Sequence, residues 1–171
     1  MSASEASAAP HHGRIVVGVD GSPISKMALR WAINQARLTG ATVDAVIAWQ
    51  YPEAMHGNAW TAMLVEEPGF DVLAEKELTE AISETAEPDP DVVINPVVVE
   101  GWPAEVLLHA AEGADLLVVG SRGRGGFASA LLGSVSQNCA HHATCPLLIS
   151  APRRTTTDMR QPVLGRLHQG L

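Results

Sequence analysis

The chain has 171 residues, a formal net charge of −8 at pH 7, 46% apolar residues and only two cysteines. This length is typical of one domain. The acidic balance argues against nucleic acid as a main partner, because binding a phosphate backbone needs a basic surface. Two cysteines are too few to build a disulfide framework. Residues 1–10 lack the basic start and apolar stretch of a signal peptide, and the apolar runs are too short to cross a membrane, so we expect a cytoplasmic protein with no membrane partner.

The first part of the chain predicts a disordered start, a strand and a helix. Residues 1–12 show no periodicity and are predicted to be disordered. Residues 14–19 are short, apolar and rich in β-branched side chains, which is typical of a strand buried on both faces. Ser22 and Pro23 then indicate the N-cap and the first residue of a helix. Gly40 is the expected C-cap of that helix.

The alternation of strands and helices continues along the chain. After a strand over residues 42–49, the segment 51–69 is predicted to be a long loop that folds over a site as a lid. The elements predicted after it are a helix over 70–86 with an acidic exposed side, a strand over 92–99, a short helix from 103 to 112 closed by Gly113, a strand over 115–119, a helix over 133–143 and a strand over 146–150. Residues 153–171 are predicted to form a flexible tail.

This order of elements predicts an α/β fold in one domain over residues 13–152. We expect a doubly wound, Rossmann-like sheet of five parallel strands in the order 3-2-1-4-5. In such sheets ligands bind beyond the carboxyl ends of the strands, where the strand order reverses. Asp20 follows the first strand and Gly120 the fourth. Both residues are therefore expected to face one crevice.

The most informative motif follows the fourth predicted strand. Gly120, Gly123 and the pair Gly133-Ser134 give the spacing G-x2-G-x9-G-S after an apolar run. Glycine adds no Cβ, so its backbone can approach a ligand closely. A helix that begins at Gly133-Ser134 presents N–H groups and the positive end of its dipole to whatever lies there. The motif therefore predicts a phosphate site.

Several segments keep the order and spacing of a known family. They are Val17-Gly18-Val19-Asp20-Gly21-Ser22, Gly101-Trp102-Pro103-Ala104, the run from 115 to 123, Gly133-Ser134-Val135-Ser136 and Cys145-Pro146. On these segments the chain, from residue 14 to about residue 151, resembles the universal stress proteins. The segment Ala48-Trp49-Gln50-Tyr51-Pro52 resembles the actinobacterial branch of that family.

The resemblance implies an ATP-binding protein, because the family members that bind ATP keep the glycine motif. The implied binding residues are Asp20, Ala48, Gly120, Arg122, Gly123, Gly133, Ser134 and Val135. The three glycines and Ser134 would hold the triphosphate, with a further backbone N–H from Val135. Asp20 would lie against the nucleoside, and Ala48 would line the adenine pocket. Arg122 and Arg124 would contact the outer phosphates.

Several alternatives stay open at this point. AMP and cyclic AMP present the same adenine and phosphate as ATP, and Asp20 either accepts ribose hydroxyls or helps to hold Mg²⁺ on the phosphates. The motifs of adenylating enzymes and the Walker lysine are absent from the sequence, so we expect no catalytic residue and at most slow ATP hydrolysis or autophosphorylation. The expected function is to sense nucleotide in a stress response and to act through a dimer or an unknown protein partner.

Two further expectations concern the end of the domain. The apolar residues 146–150 are predicted to be an edge strand that pairs in a homodimer, and a dimeric scaffold without nucleotide is the remaining alternative. Cys139, His141, His142 and Cys145 fit no standard zinc pattern. We therefore expect no metal bound by protein side chains alone.

Overall fold

The computed structural model describes residues 13–51, 69–85, 92–125 and 131–152. Within these ranges, strands and helices alternate as the sequence predicts. The strands are β1 (Arg14–Gly18), β2 (Thr42–Trp49), β3 (Ile94–Glu100), β4 (Leu116–Gly120) and β5 (Leu147–Ser150). The helices are α1 (Pro23–Thr39), α2 (Phe70–Thr85), α3 (Pro103–Ala110) and α4 (Ser134–His142).

The strands form one parallel sheet in the order β3-β2-β1-β4-β5, which confirms the predicted fold class and strand order. β1 lies in the middle, where Val17 pairs with Ala45 of β2 on one side and with Val118 of β4 on the other. The strand order reverses between β1 and β4. In a doubly wound sheet this reversal opens a crevice beyond the carboxyl ends of the two strands.

Two apolar layers cover the two faces of the sheet. Val17 packs with α1 and α2 on one face, whereas Val16 packs with α3 and α4 on the other. This division follows from the strand geometry, because successive side chains of a strand point to opposite faces. Leu29 of α1 and Cys139 of α4 are fully buried in these layers. Complete burial of a side chain such as Leu29 stabilises the fold by about 2 kcal/mol.

The ends of α1 are set by the predicted capping residues. The N–H of Ser25 donates to Oγ of Ser22 at 3.2 Å, and Pro23 occupies the first helical position. At the other end Gly40 has φ 70°, in the left-handed region that favours glycine, and its N–H donates to the carbonyl of Ala36 at 2.8 Å. Both predicted caps of α1 are therefore confirmed.

Arg14 ties the amino end of the sheet to the end of α3. Its guanidinium donates to the carbonyls of Ala110 at 2.9 Å and Glu112 at 2.6 Å, and it pairs with Asp44 of β2 at 3.1 Å. Carbonyls at the end of a helix have no hydrogen-bond donor within the helix, and the Arg14 side chain supplies that donor. This contact fixes the end of α3 that lies away from the crevice.

The observed bounds of the elements agree with the predicted ones to within two residues. The largest differences are of two residues. α3 ends at Ala110 rather than at residue 112, and β3 begins at Ile94 rather than at residue 92, although the carbonyl of Val93 already accepts the N–H of Val43 at 2.9 Å. The predicted disordered segment 1–12, nearly all of the predicted lid and the predicted tail 153–171 lie outside the described residues. None of the helices in the described ranges is long and apolar enough to span a bilayer.

Candidate functional site

A cavity of about 440 Å³ opens at the carboxyl ends of β1, β2 and β4. Its volume falls in the range of about 300–1,000 Å³ that is usual for small-molecule sites. All of the residues that the sequence singled out line it, namely Asp20, Ala48, Gly120, Arg122, Gly123, Gly133, Ser134 and Val135. The fold therefore brings the predicted residues together, and the part that each plays toward a ligand stays a prediction.

The polar side of the cavity includes the start of α4. Gly133 is the N-cap, with extended backbone at φ −79° and ψ 167°, and no side chain accepts a hydrogen bond at this cap. Its carbonyl accepts the N–H of Gln137 at 3.0 Å. The N–H groups of Ser134, Val135 and Ser136 precede that bond, and the first N–H groups of a helix have no partner within it. Together with the helix dipole they favour an anion at this point.

Ser136 holds the loop between β4 and α4 in shape. Its buried Oγ lies 3.0 Å from the carbonyl oxygen of Ser121 and 2.9 Å from that of Gly133, so its single proton donates to this pair. The N–H of Gly133 also donates to the Ser121 carbonyl, at 2.7 Å. The start of the loop and the start of α4 are thus tied to the same group. Their N–H groups are preorganised before any ligand arrives.

The three glycines of the motif differ in what a side chain would meet. At Gly120 a Cβ would lie 3.0 Å from Cγ2 of Ile24 and 3.2 Å from the carbonyl oxygen of Arg122, and at Gly123 it would run into Oδ2 of Asp20. At Gly133 a Cβ would lie 3.4 Å from Cα of Arg122, which is an ordinary contact distance. Packing within the chain therefore accounts for the first two glycines but not for the third.

Asp20 links the turn after β1 to the glycine loop. One carboxylate oxygen accepts the N–H of Ser22 at 3.0 Å, and the other accepts the N–H of Arg124 at 3.2 Å. The N–H of Asp20 itself donates to the buried Oγ of Ser25 at 3.3 Å. The carboxylate that sequence reasoning placed against a nucleoside thus also orders the loop that carries Arg124.

The rest of the cavity wall is largely apolar, and sequence reasoning did not assign its residues to a site. They include Val46 of β2, Pro103 and Leu107 of α3, and Val119 of β4. Leu107 is a buried core residue that also lines the cavity. Gly18 makes its second role possible, because a Cβ at Gly18 would lie 2.8 Å from Cδ1 of Leu107. An apolar wall beside a group of anion-binding N–H groups suits a flat, uncharged ring that carries phosphate.

Glu77 lies apart from the acidic exposed side that the sequence predicts for α2 and that the structure shows. Glu75, Glu80 and Glu84 are exposed, but Glu77 is half-buried and forms an ion pair with Arg124 at the cavity. It lies three residues after the buried Ala74, on the same face of the helix. The position of Glu77 next to buried helix residues is the signal that could have revealed this contact.

The cysteines and histidines of α4 and its end do not form a metal site. Within the described residues, no group of three or more His, Cys, Asp and Glu is placed to hold a metal ion. Burial, and to a lesser extent the neighbouring Cys145, raises the pKa of the Cys139 thiol to about 11. Cys139 is therefore protonated at neutral pH and is a poor ligand and nucleophile.

Comparison with known sequences identifies related proteins. The model of the universal stress protein family matches residues 11–150. Universal stress protein Rv2005c of Mycobacterium tuberculosis is 38% identical over 146 residues, covering 82% of this chain and 46% of the relative. Universal stress protein Rv2623 of the same species is 36% identical over 141 residues, with the same two coverages. The chain thus spans about half the length of the curated relatives it matches.

Solved structures with the same architecture come from the same family. The universal stress protein UspA from Lactobacillus plantarum superimposes with a TM-score of 0.61 at 20% identity, covering 81% of this chain and 97% of that one. A universal stress protein crystallised in complex with cAMP superimposes with a TM-score of 0.53 at 29% identity, covering 80% of this chain and 95% of that one. The first likeness concerns the fold alone, and the second is a case in which a related chain binds an adenine nucleotide.

Proposed function

The chain belongs to the universal stress protein family, and we propose that it binds an adenine nucleotide, with ATP as the leading candidate, in the cavity at the carboxyl end of its sheet. The observation that carries the proposal is the start of α4, where N–H groups without a capping side chain face the cavity beside a glycine loop. The relative in complex with cAMP supports the class of ligand. The two mycobacterial relatives agree with an actinobacterial branch, which stays a prediction.

In this proposal the two sides of the cavity bind the two parts of the ligand. The N–H groups of Gly123, Ser134 and Val135 hold phosphates, and Gly120 and Gly133 leave room for them. The N–H groups of Ser121 and Gly133 instead donate to carbonyls within the chain. Arg122 contacts the outer phosphates. Ala48 and the apolar wall receive the adenine. Asp20 accepts ribose hydroxyls or contributes to a cation on the phosphates, and both alternatives use an oxygen that already accepts one backbone N–H.

ATP is favoured over AMP and cAMP because two arginines line the cavity beyond the first phosphate-binding N–H groups. Arg122 and Arg124 both lie in the loop after β4, and an outer phosphate is what a guanidinium recognises best. Mg²⁺ is proposed only as a companion of those phosphates. A site that supplies one carboxylate, Asp20, fits the way proteins bind Mg²⁺ with few side chains and several phosphate or water oxygens.

We propose a binding and regulatory role rather than an enzyme. The polar groups of the cavity wall are backbone N–H groups, arginines, serines and a carboxylate held by two hydrogen bonds, which suits holding a nucleotide more than turning it over. Nucleotide binding would then bias the conformation of the loop after β4 and signal through a partner. Slow hydrolysis or transfer of phosphate to a nearby serine is the alternative, and turnover of many nucleotides per minute would overturn the proposed binding role.

The proposed assembly is a homodimer through the strand β5. Among the described residues β5 pairs with β4 alone and ends the sheet, and its side chains are all partly buried in the single chain. An apolar edge of this kind pairs readily with a second copy. Light scattering at micromolar concentration is expected to give twice the mass of the chain. A monomer under these conditions would exclude both this dimer and the alternative of a nucleotide-free dimeric scaffold.

The proposed ligand is tested by isolating the protein without added nucleotide, denaturing it and chromatographing what it releases against ATP, AMP and cAMP standards. Calorimetry with added ATP follows on the wild type and on Gly133→Ala. The variant is expected to keep its stability, because neither the backbone nor the contacts of residue 133 exclude a Cβ. Alanine is a weaker N-cap than glycine, but it also makes the unfolded chain less flexible, and the two effects offset each other. It is expected to lose ATP binding, since the Cβ would lie 3.7 Å from the N of Gly123, where a phosphate must approach. A wild type that neither releases nor binds nucleotide would refute the proposal.

A further inference from the structure

Arg124 reaches the cavity from the glycine loop, but its charge is already paired. Its guanidinium forms an ion pair with the carboxylate of Glu77 on α2. The Glu77 side chain is 26% exposed and that of Arg124 is 61% exposed. Glu77 is held in this place by its helix, because Ala74 and Ala81, three residues before and four after it, are both buried.

The ion pair lies directly over the turn that follows β1. A Cβ at Gly21 would run into the carboxylate of Glu77 and would lie 2.6 Å from Nη2 of Arg124. Gly21 has φ 71°, so this turn needs a glycine for its backbone as well. On the same side Asp20 accepts the backbone N–H of Arg124 at 3.2 Å. Two carboxylates therefore hold Arg124, one at its main chain and one at its side chain.

A phosphate that reaches Arg124 would compete with Glu77 for the same donors. The guanidinium is a planar fork that binds a carboxylate or a phosphate with the same pair of N–H groups. An ion pair exposed to this degree contributes little to stability, so a phosphate can replace the carboxylate. The Glu77 carboxylate stays close to Arg124 after this exchange, however, because α2 fixes its position. It then repels the phosphate that has taken its place.

Building on the nucleotide site proposed above, we propose that Glu77 is a built-in competitor for the outer phosphates of the ligand at Arg124. A nucleotide with one phosphate, bound at the start of α4, leaves the Glu77–Arg124 pair intact. A nucleotide with three phosphates must break the pair and accept the repulsion of the carboxylate. Glu77 therefore lowers the affinity for ATP relative to the affinity for AMP. It thereby sets the ratio of ATP to AMP concentration at which the protein changes from one bound nucleotide to the other.

Calorimetric titration of the full chain with ATP and with AMP tests this role. Glu77→Gln removes the charge and keeps the shape of the side chain. Glu80→Gln is the matched control, because Glu80 lies on the same helix, is exposed and pairs only weakly with Lys76 at 3.9 Å. Both variants change the net charge of the chain equally. We expect Glu77→Gln to bind ATP about fivefold more tightly and AMP within about twofold of the wild type, and Glu80→Gln to change neither by more than about twofold.

Two further variants, Arg124→Gln and Arg124→Gln combined with Glu77→Gln, distinguish competition for Arg124 from general repulsion between Glu77 and the phosphates. In an Arg124→Gln background Glu77 has no guanidinium to compete for, so the gain from Glu77→Gln is expected to fall below about twofold. A gain of the same size with and without Arg124 would overturn the proposal, as would equal gains in Glu77→Gln and Glu80→Gln. Weaker ATP binding in Glu77→Gln would also overturn it, because Glu77 would then position Arg124 for the ligand.

The outcomes also separate this proposal from the one on which it rests. If the wild type binds neither nucleotide, the proposed nucleotide site fails and the role of Glu77 fails with it. If the wild type binds ATP but the ratio of ATP to AMP affinity is unchanged in Glu77→Gln, only the role of Glu77 is refuted. Thermal unfolding followed by circular dichroism checks that each variant is folded.

Discussion

Replacing Gly123 by alanine tests whether Asp20 and the glycine loop form one binding unit. A Cβ at Gly123 would run into Oδ2 of Asp20, the oxygen that accepts the N–H of Arg124 at 3.2 Å. Gly123 does not have the positive φ that favours glycine, so the backbone itself accepts alanine. The carboxylate has to rotate away, and the hydrogen bond that orders the start of the loop is lost.

The size of the effect follows from these contacts. One hydrogen bond at an exposed position contributes about 0.5–1.5 kcal/mol net, whereas a change from glycine to alanine at a compatible position stabilises by about 0.4–1 kcal/mol through the unfolded chain. The free energy of unfolding is therefore expected to change by less than about 1 kcal/mol. Binding loses more, because both Asp20 and the loop N–H groups move, and we expect the Kd for ATP to rise about tenfold, equivalent to about 1.4 kcal/mol.

Gly125→Ala is the matched control for this experiment. A Cβ at Gly125 meets no atom of the described residues within 4 Å, and Gly125 also lies outside the left-handed region. Both variants gain the same restriction of the unfolded chain, and both positions line the cavity, so their difference reports the clash with Asp20. Calorimetry with ATP and unfolding in urea measure the two effects. Equal ATP affinity in Gly123→Ala and Gly125→Ala would refute the reasoning.

Three further predictions concern the opposite end of the sheet and the thiols. Arg14→Ala is expected to lower the free energy of unfolding by about 1–2 kcal/mol, because two carbonyls at the end of α3 lose their donor and Asp44 keeps only the one from Asn95. ATP affinity should stay the same, and an unchanged midpoint in urea would contradict this. In the native protein Cys145 is expected to react with Ellman's reagent at pH 8 well before the buried Cys139, whose pKa is about 11; equal rates would contradict this. The pKa of the Cys139 thiol is about 9.0 in the unfolded chain and about 11 in the folded one. The stability that comes from this difference is therefore complete below pH 9 and is lost as the pH rises toward 11. Cys139→Ala should remove that part of the pH dependence of urea unfolding.

Local signals in the sequence were sufficient to predict the elements and their order. The buried strands are short apolar runs, and the start and end of α1 carry side chains whose capping chemistry is specific, Ser22 with Pro23 and Gly40. The position of the site followed from topology, because Asp20 and Gly120 end neighbouring strands at the point where the order reverses. Neither inference needed a tertiary contact to be known.

The contacts that shape the site could not be predicted in this way. Helical periodicity places Glu77 beside the buried face of α2, but only the packing of α2 against the sheet brings its carboxylate to Arg124. Leu107 reads as a core residue and is one, and its second role in the cavity wall depends on the absence of a side chain at Gly18. Both roles arise from elements far apart in the chain, which a local pattern does not relate.

The three glycines of the motif have different physical causes, and this changes what the motif means. Gly120 lies close to Ile24 and Gly123 to the carboxylate of Asp20, so a Cβ at either position would displace a neighbouring side chain even with no ligand bound. Gly133 has room for a Cβ, and its extended N-cap backbone favours glycine over alanine without requiring it. A ligand that comes close to the loop would be a further cause, since a Cβ at Gly133 would lie 3.7 Å from the N of Gly123. Gly133 is therefore the glycine of the motif that most directly supports the proposed nucleotide binding.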